Sequence, residues 1–357
     1  MKIGLQLFCR DSQLSTFSKA VEAAGLDSAW IPNNYARVTH MIDATERISV
    51  GPAIVPCLEA PPFVHATTAM FLQRISGGRF ILAMGSQTKG LIRTRQGIDM
   101  PKPTKMAREA IHIIKALMHS TGGRIQYDGE FFKINLPGGR NLLDGEKGIP
   151  PPPIYFSGVN RLNLRLSGEI CDGLVAHPIF PVRYFNEVAW PNVDEGLRRA
   201  GKSRADFDMC AMPMIWIAEN EAERNEGFRR GKRNLASYCT TRAYGTYMDV
   251  LGWTEERLAI EDVVRRAPYG GPFDFDALEG IFSDEIVDEV CLIGTAEEVR
   301  QKARERYEGL VDTMIFYVLG LGGAGGTEGA GLSAEEEHIR KEEQMYRVID
   351  TFKSYKR

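Results

Sequence analysis

Glycine and small polar residues directly follow two of the short apolar runs in this sequence. Gly85-Ser86-Gln87-Thr88-Lys89-Gly90 follows one run, and Ser157-Gly158-Val159-Asn160 follows a later one. Loops of this composition let backbone amides approach a phosphate group or a flat ring closely. Each loop taken alone is also consistent with an ordinary tight turn. Two such loops at equivalent positions favour a ligand-binding site.

Other apolar runs are followed by side chains that could hydrogen-bond a ligand or move a proton. Asn33, Asn34 and Tyr35 follow the second run, and His177 directly follows the sixth. An asparagine can only hydrogen-bond, whereas the tyrosine hydroxyl and the imidazole can also transfer a proton. His177 is the one histidine of six that directly follows an apolar run. A histidine with a purely structural role would fit the same position.

The sequence offers little else for acid–base or metal chemistry. No pair of carboxylates follows the apolar runs, and the six cysteines are too far apart for a zinc or redox motif. P-loop, H-E-x-x-H, EF-hand and G-x-S-x-G motifs are missing. Lys89, Arg93 and Arg95 could face a phosphate, although a solvated basic face would look the same. A site of this kind favours a phosphorylated, aromatic cofactor that performs the chemistry on a small-molecule substrate.

Composition and charge exclude several classes of protein. The 357 residues are 43% hydrophobic and 25% charged, which is typical of a globular protein. A net charge of −3 argues against nucleic acid or a membrane surface as the main partner. No apolar run approaches the roughly 18 residues that span a bilayer. No signal peptide is evident and the cysteines are scattered, so we expect a cytoplasmic protein.

Eight apolar segments, rich in β-branched and aromatic residues, alternate with stretches of helical periodicity. This alternation predicts a (β/α)8 TIM barrel of the α/β class, whose strands end at a common functional rim. An open doubly wound sheet is the alternative, but no G-x-G-x-x-G motif follows the first strand. The predicted strands are residues 3–8, 28–31, 48–55, 79–84, 154–156, 173–176, 209–218 and 311–318.

Three segments depart from this alternation. Residues 125–132 place Asp-Gly between two strand-like runs and predict a hairpin. Charged helical sequence with aromatic residues predicts a helical insertion after the seventh strand, over about 220–290. We therefore expect a barrel domain over residues 1–318. A Gly-rich linker and a C-terminal helix, which opens with a capping box, would form residues 319–357.

One segment resembles a known family signature. Residues 74–87, Arg-Ile-Ser-Gly-Gly-Arg-Phe-Ile-Leu-Ala-Met-Gly-Ser-Gln, resemble the L-S-G-G-R-F-x-L-G-x-G signature of the bacterial luciferase-like family of flavin- and coenzyme F420-dependent oxidoreductases. Gly85-Ser86-Gln87-Thr88-Lys89 and Ala176-His177-Pro178 are most similar to its actinobacterial deazaflavin branch. The resemblance spans roughly residues 1–318. Further matches, in the family's order, are residues 24–30, 127–132, 166–173 and 292–299.

This resemblance implies a TIM barrel with an insertion region that binds coenzyme F420, or alternatively FMN, and that forms homodimers. It implies a non-proline cis peptide after the third strand, at Ala53-Ile54. The loops after strands four and five would hold the cofactor tail. The candidate catalytic residues are Asn34, Tyr35 and His177. The candidate cofactor-binding residues are Asn33, Ala53, Ile54, Gly85, Ser86, Gln87, Lys89, Ser157, Gly158, Val159 and His177.

Asn33-Asn34 departs from the family pattern, because many relatives carry an acidic residue and a histidine there. Asparagine is no general acid at neutral pH, so alcohol oxidation loses support. The predicted function is F420-dependent reduction of an activated C=C or C=N bond of a small organic or natural-product substrate. The proton would come from Tyr35, His177 or water. An FMN-dependent monooxygenase is the alternative, and a non-catalytic cofactor-binding protein is the third hypothesis.

Overall fold

The structure, a computed structural model, describes residues 1–97, 99–138, 148–267, 273–320, 333–353 and 355. The strands of this part of the chain are β1 Lys2–Gln6, β2 Ser28–Ile31, β3 Ser49–Pro52, β4 Val55–Pro56, β5 Leu82–Gly85, β6 Ile125–Asp128, β7 Lys133–Leu136, β8 Ile154–Ser157, β9 Gly173–Val175, β10 Asp208–Ala211, β11 Met214–Ile217, β12 Cys291–Gly294 and β13 Thr313–Val318. The helices are α1 Leu14–Ala23, α2 Tyr35–Ala44, α3 Pro62–Ile75, α4 Lys89–Gln96, α5 Pro103–Met118, α6 Arg161–Ile170, α7 Val182–Tyr184, α8 Trp190–Ala200, α9 Glu221–Cys239, α10 Gly245–Val250, α11 Thr254–Arg266, α12 Phe275–Glu279, α13 Asp284–Val290, α14 Ala296–Tyr307 and α15 Ala334–Phe352.

Parallel strands close into a barrel. β1 pairs with β2 and β13, β2 pairs with β3, and the sheet continues from β13 through β10, β9, β8 and β5 to β4. Because β3 and β4 are consecutive in the chain, this path returns to its start, and a bridge between Val50 and Phe80 joins the two ends. An open sheet would leave two unpaired edges. The barrel prediction is confirmed, and the doubly wound alternative is wrong.

The predicted third and seventh strands are each divided in two. β3 and β4 are separated by Ala53-Ile54, whose peptide bond is cis as the resemblance implies. β10 and β11 are separated by Met212-Pro213, since a proline cannot donate to a strand ladder. β10 pairs with β9, whereas β11 pairs with β12. Strand β12 was not predicted, because its four residues directly follow helical sequence.

Three aspartates at the amino ends of strands fix the register of the barrel. Each directly precedes a strand, and its carboxylate accepts the N–H of a residue near the start of an adjacent strand. Such charge-assisted bonds are short and directional. They hold the opposite, carboxyl ends of the strands at one level. The pairs are Asp27 with Ile3 at 2.7 Å, Asp172 with Ile154 at 2.8 Å and Asp312 with Met209 at 2.9 Å.

Arg79 of the signature segment ties the fourth barrel strand to the third. Its guanidinium donates to the carbonyls of Ile48 and Thr45, each at 2.9 Å. Gly77 and Gly78 precede it with φ of 64° and 92°, a region that favours glycine. The motif therefore has a structural role: it places β5, and with it the loop after β5, beside β3.

The predicted hairpin is present, with a later second strand. β6 and β7 are antiparallel, but β7 begins at Lys133. The Glu109 carboxylate accepts the N–H groups of Glu130, Phe131 and Phe132 at 3.1, 2.9 and 3.2 Å. Because these groups bond to Glu109, they are not available to the ladder.

Helices α9 to α13 follow the seventh barrel strand. α15 packs on β11, β13 and α14, and Tyr346 of α15 contacts Phe17 of α1 with ring centroids 4.6 Å apart. α15 therefore fills the helical layer between α14 and α1. Of the Gly-rich linker, residues 321–332 lie outside the described residues, and the domain limits at 318 and 319 stay predictions. Among the described helices, none is both long and apolar enough to cross a membrane.

Candidate active site

The carboxyl ends of the strands form the mouth of the barrel. Side chains alternate between the interior and the helical layer along each strand. Below the mouth, the interior is filled by a buried cluster that includes Trp30, Tyr155 and Ile315. Most residues that line the mouth itself are half-buried, so a ligand can reach them. These residues are Phe8, Ala53, Ile54, Gly85, Ser157, His177, Met212 and Tyr317.

One side of the mouth is built from three small residues around one isoleucine. A Cβ atom on Gly85 would lie 2.7 Å from Cδ1 of Ile54 and 3.4 Å from the carbonyl oxygen of Ser157. The missing side chain of Gly85 therefore makes room for the side chain of Ile54 between the ends of β5 and β8. We call this side, made by Ala53, Gly85 and Ser157 around Ile54, the small-residue cradle.

The two glycine loops predicted from the sequence are brought together by Asn163 of α6. Its Nδ2 donates to Oγ of Ser86 at 3.3 Å, and its Oδ1 accepts from Oγ1 of Thr104 at 2.7 Å. A Cβ on Gly158 would lie 2.3 Å from Cβ of Asn163, so only glycine fits there. Gln87 has a φ of 59°, a strained value for a non-glycine residue that is frequent at functional sites. Asn163 was missed because its position on a helix carries no sequence signal.

Val159 and Lys89 lie at the outer edge of these loops. The Val159 carbonyl accepts a hydrogen bond from the Tyr184 hydroxyl at 2.7 Å. Lys89, the first residue of α4, is exposed, and its Nζ donates to the carbonyl of Pro101 at 3.2 Å. Lys89 therefore reaches a ligand only where that ligand extends to the surface.

Asn33 and Asn34 are exposed and make structural contacts. Oδ1 of Asn34 accepts the N–H of Arg37 at 3.1 Å and caps α2. Nδ2 of Asn33 donates to the Glu59 carboxylate at 2.6 Å. These contacts account for both asparagines without a ligand.

Tyr35 is paired with a histidine that the sequence did not single out. Its hydroxyl lies 2.8 Å from Nδ1 of His65, which is almost fully buried. Burial raises the pKa of Tyr35 and lowers the pKa of His65 to about 4, so both groups are neutral at neutral pH. Nε2 of His65 has no hydrogen-bond partner within the described residues.

The other side of the mouth is aromatic, with Nζ of Lys341 from α15 lying 5.9 Å from the Phe8 ring centroid. The His177 ring makes edge contacts with Tyr238 and Tyr244, with centroids 4.7 and 5.1 Å apart. Tyr238 donates a 2.8 Å hydrogen bond to Tyr317, whose ring lies 4.7 Å from that of Phe8. Burial lowers the pKa of His177 to about 3, so its imidazole is neutral at neutral pH. We call these five aromatic residues the aromatic rim.

Gln6 provides a buried polar atom inside the barrel. Its Nε2 donates to the Ala53 carbonyl at 3.2 Å, while its Oε1 is buried without a partner among the described residues. A buried acceptor of this kind is costly unless something donates to it. It lies beside the small-residue cradle and suits an N–H of a heteroaromatic ring.

Comparison with known proteins is consistent with this geometry. The family model described as luciferase-like monooxygenase matches residues 12–313. The chain belongs to this family of oxidoreductases. It is 30% identical over 317 residues to the 5,10-methylenetetrahydromethanopterin reductase of Archaeoglobus fulgidus, and the match covers 85% of this chain and 90% of the relative.

Two solved structures share the fold. The coenzyme F420-dependent tetrahydromethanopterin reductase of Methanopyrus kandleri matches with a TM-score of 0.74 and 20% identity, over 98% of this chain and 97% of that one. The oxygenating constituent of 3,6-diketocamphane monooxygenase from Pseudomonas putida, in complex with FMN, matches with a TM-score of 0.66 and 16% identity, over 99% and 97%. The resemblance noted in the sequence is confirmed at the level of family and fold.

Proposed function

We propose that this chain is a coenzyme F420-dependent oxidoreductase that reduces an activated C=C or C=N bond of a small organic or natural-product substrate. The main support for this proposal is that the barrel mouth has two chemically different sides. A small-residue cradle around Gly85 and Ile54 lies on one side, and an aromatic rim around His177 and Tyr317 lies on the other. A flat ring fits against the cradle, which leaves the aromatic rim for the substrate.

The residues of the cradle fit a deazaflavin or flavin. Gln6 Oε1 would accept an N–H of the ring, and the Ile54 side chain, for which Gly85 makes room, would form the apolar surface against the ring. The N–H groups and hydroxyls of Ser86 and Ser157 would hold the phosphate-bearing tail, which Lys89 could meet at the surface. When bound, such a cofactor supplies the hydride and the protein orients it.

The electrostatics of the mouth favour reduction over alcohol oxidation. Oxidation needs a base that accepts the hydroxyl proton near neutral pH. None of the eight residues that line the mouth is a carboxylate, and its histidine has a pKa of about 3. Reduction of an activated double bond needs only hydride and a neutral proton donor. The F420-dependent structural neighbour supports the choice of F420.

An FMN-dependent monooxygenase is the second candidate, supported by the FMN-bound structural neighbour. Side-by-side fluorescence titration of the apoprotein with F420 and FMN separates the two. We expect F420 to bind about tenfold or more tightly than FMN. We also expect anaerobic oxidation of reduced F420 by an enone or a cyclic imine. Tighter binding of FMN, together with aerobic turnover of reduced FMN, would establish the monooxygenase instead.

We also propose that the chain forms a homodimer through α3. Val64, Phe71 and Ile75 lie on one face of this helix and are 45%, 47% and 42% exposed, with Phe63 beside them at 43%. Thr67 and Thr68 complete an uncharged stripe. A contiguous apolar helix face suits the same face of a second copy, because a two-fold axis pairs identical surfaces.

A further inference from the structure

Two tyrosine hydroxyls meet at the aromatic rim. Tyr317 is the penultimate residue of β13, and its ring packs against the inner barrel cluster, as Ala53 and Ile54 also do. Tyr238 reaches it from α9 and donates a hydrogen bond of 2.8 Å to its Oη. A residue of the barrel and a residue of the helices after the seventh strand are thereby joined at the mouth.

The positions of the two hydroxyls decide which of them can act on a ligand. Each phenol has one O–H, so the bond between the two uses one proton and leaves the other for a ligand. Tyr317 is half-buried at the mouth and packs against the same inner cluster as Ala53 and Ile54. Tyr238 reaches the mouth from α9, so Tyr317 is the hydroxyl on the side of the cradle.

The same bond would stabilise a phenolate at Tyr317. Burial raises the pKa of both hydroxyls. A hydrogen bond donated to an ionised phenol oxygen stabilises the charge and so favours loss of the proton. A phenolate formed at Tyr317 would find a donor already in place.

The other groups at the mouth are worse proton donors. The Tyr35 hydroxyl pairs with Nδ1 of His65 at 2.8 Å. The neutral His177 is a weak acid, and its Nδ1 lies 3.5 Å from the N–H of Ile179. Tyr244 contacts the His177 ring, and no hydrogen bond among the described residues would stabilise a phenolate there. Nζ of Lys341 lies 5.9 Å from the Phe8 ring centroid and is paired with Glu337 at 3.6 Å.

We propose that Tyr317 is the catalytic proton donor of this enzyme and that Tyr238 positions it. This inference rests on the proposed reductase function. A bound reduced deazaflavin would supply hydride to one carbon of the substrate double bond. The other carbon, or the nitrogen of a C=N bond, would take the proton from Oη of Tyr317. The resulting phenolate accepts the Tyr238 hydrogen bond and regains a proton from water.

The acidity of the two hydroxyls can be measured without substrate. The protein, labelled with [13Cζ]tyrosine, is titrated by NMR with F420 bound, and the variants Y317F and Y238F assign the two signals. We expect Tyr317 to ionise at lower pH than Tyr238, and to ionise at higher pH once Y238F removes the bond. If Tyr317 ionises after Tyr238, or if Y238F leaves its titration unchanged, the inference is wrong.

Turnover provides the second test. Reduced F420 is mixed anaerobically with 2-cyclohexen-1-one or 1-pyrroline, and its oxidation is followed. Y317F should lower the rate about 100-fold while leaving F420 affinity unchanged. Y238F should lower the rate about tenfold. It should also move the fall in rate at alkaline pH to higher pH, because Tyr317 would then ionise at higher pH. Y244F is the control from the same aromatic rim. Its rate should fall at the same alkaline pH as the rate of the wild type.

The outcomes separate this inference from the function on which it rests. A Y317F rate close to wild type overturns the role of Tyr317. A Y317F variant that loses F420 affinity in proportion to rate makes Tyr317 a cofactor ligand and overturns it equally. Wild-type protein that binds no F420, or reduces neither probe, overturns the proposed function, and the inference with it.

Discussion

The guanidinium of Arg230 donates to both carboxylate oxygens of Glu337, at 2.9 and 3.0 Å, and both side chains are almost completely buried. This pair joins α9, the first helix after the seventh barrel strand, to α15, the helix that follows the last strand. The same guanidinium stacks on the Trp216 ring of β11, with 4.5 Å between its central carbon and the ring centroid. The ion pair therefore fixes α9, which carries Tyr238, against the barrel.

Removing one partner of this pair should be strongly destabilising. R230M removes the guanidinium from Glu337, which keeps Lys341 Nζ at 3.6 Å, and from Glu226. We therefore expect a loss of up to about 3–5 kcal/mol, the cost of a buried charge that loses its partner. Urea unfolding followed by circular dichroism measures the change. The double variant R230M/E337M should recover only part of the loss, because Glu226 and Lys341 each still lack one partner. K133M, which removes an exposed ion pair with Asp128, is the control and should leave stability almost unchanged.

Gly85→Ala should weaken cofactor binding while leaving the fold intact. The new Cβ would lie 2.7 Å from Cδ1 of Ile54, a flexible side-chain end that can shift, but only into the cradle. We expect F420 affinity to fall about tenfold or more in a fluorescence titration. Gly90→Ala is the matched control, because its Cβ meets nothing within 4 Å. Equal affinities of the two variants would contradict the placement of the ring against the cradle.

His65 should make the protein less stable in mild acid. Its pKa is lowered to about 4 in the folded chain, from about 6.5 in an unfolded one. Below pH 6.5 the unfolded chain binds the proton first, so the stabilisation present above pH 6.5 is lost as pH falls toward 4. In this window His65 should contribute a slope of about 1.4 kcal/mol per pH unit. H65Q should remove that slope in urea titrations at several pH values, whereas H338Q, on an exposed histidine, should keep it.

Phe71→Glu should dissociate the proposed homodimer. A carboxylate in the middle of the α3 stripe would face its own copy across the two-fold axis and would have to be desolvated. Size-exclusion chromatography with light scattering should give a dimer for the wild type and a monomer for F71E. Leu258→Glu is the control, since Leu258 is 54% exposed on α11, away from α3. A wild-type monomer, or an F71E variant that still dimerises, would exclude this interface.

Local sequence predicted most of the framework. Apolar periodicity placed the barrel strands, and the glycine loops around Gly85 and Gly158 were recognised as candidate ligand loops. These features could be predicted because they depend on short-range patterns: short apolar segments between stretches of helical periodicity, and glycine at close approaches. The break at Pro213, which divides the predicted seventh strand, was not predicted. Strand β12 was also not predicted. Its four residues form a strand because they pair with β11, which is distant in the sequence.

The amino-acid sequence alone was sufficient to predict the barrel, the loops at its functional rim and the protein family. Only the tertiary structure decided which residues share the mouth. It placed Asn33 and Asn34 at the surface, linked the two loops through Asn163, and brought Tyr238 to Tyr317 across 79 residues of sequence. Contacts of this kind depend on how helices pack over the barrel, and no periodicity in one sequence records them. The two hydroxyls thereby lie 2.8 Å apart at the mouth, where they form the candidate proton-donating pair.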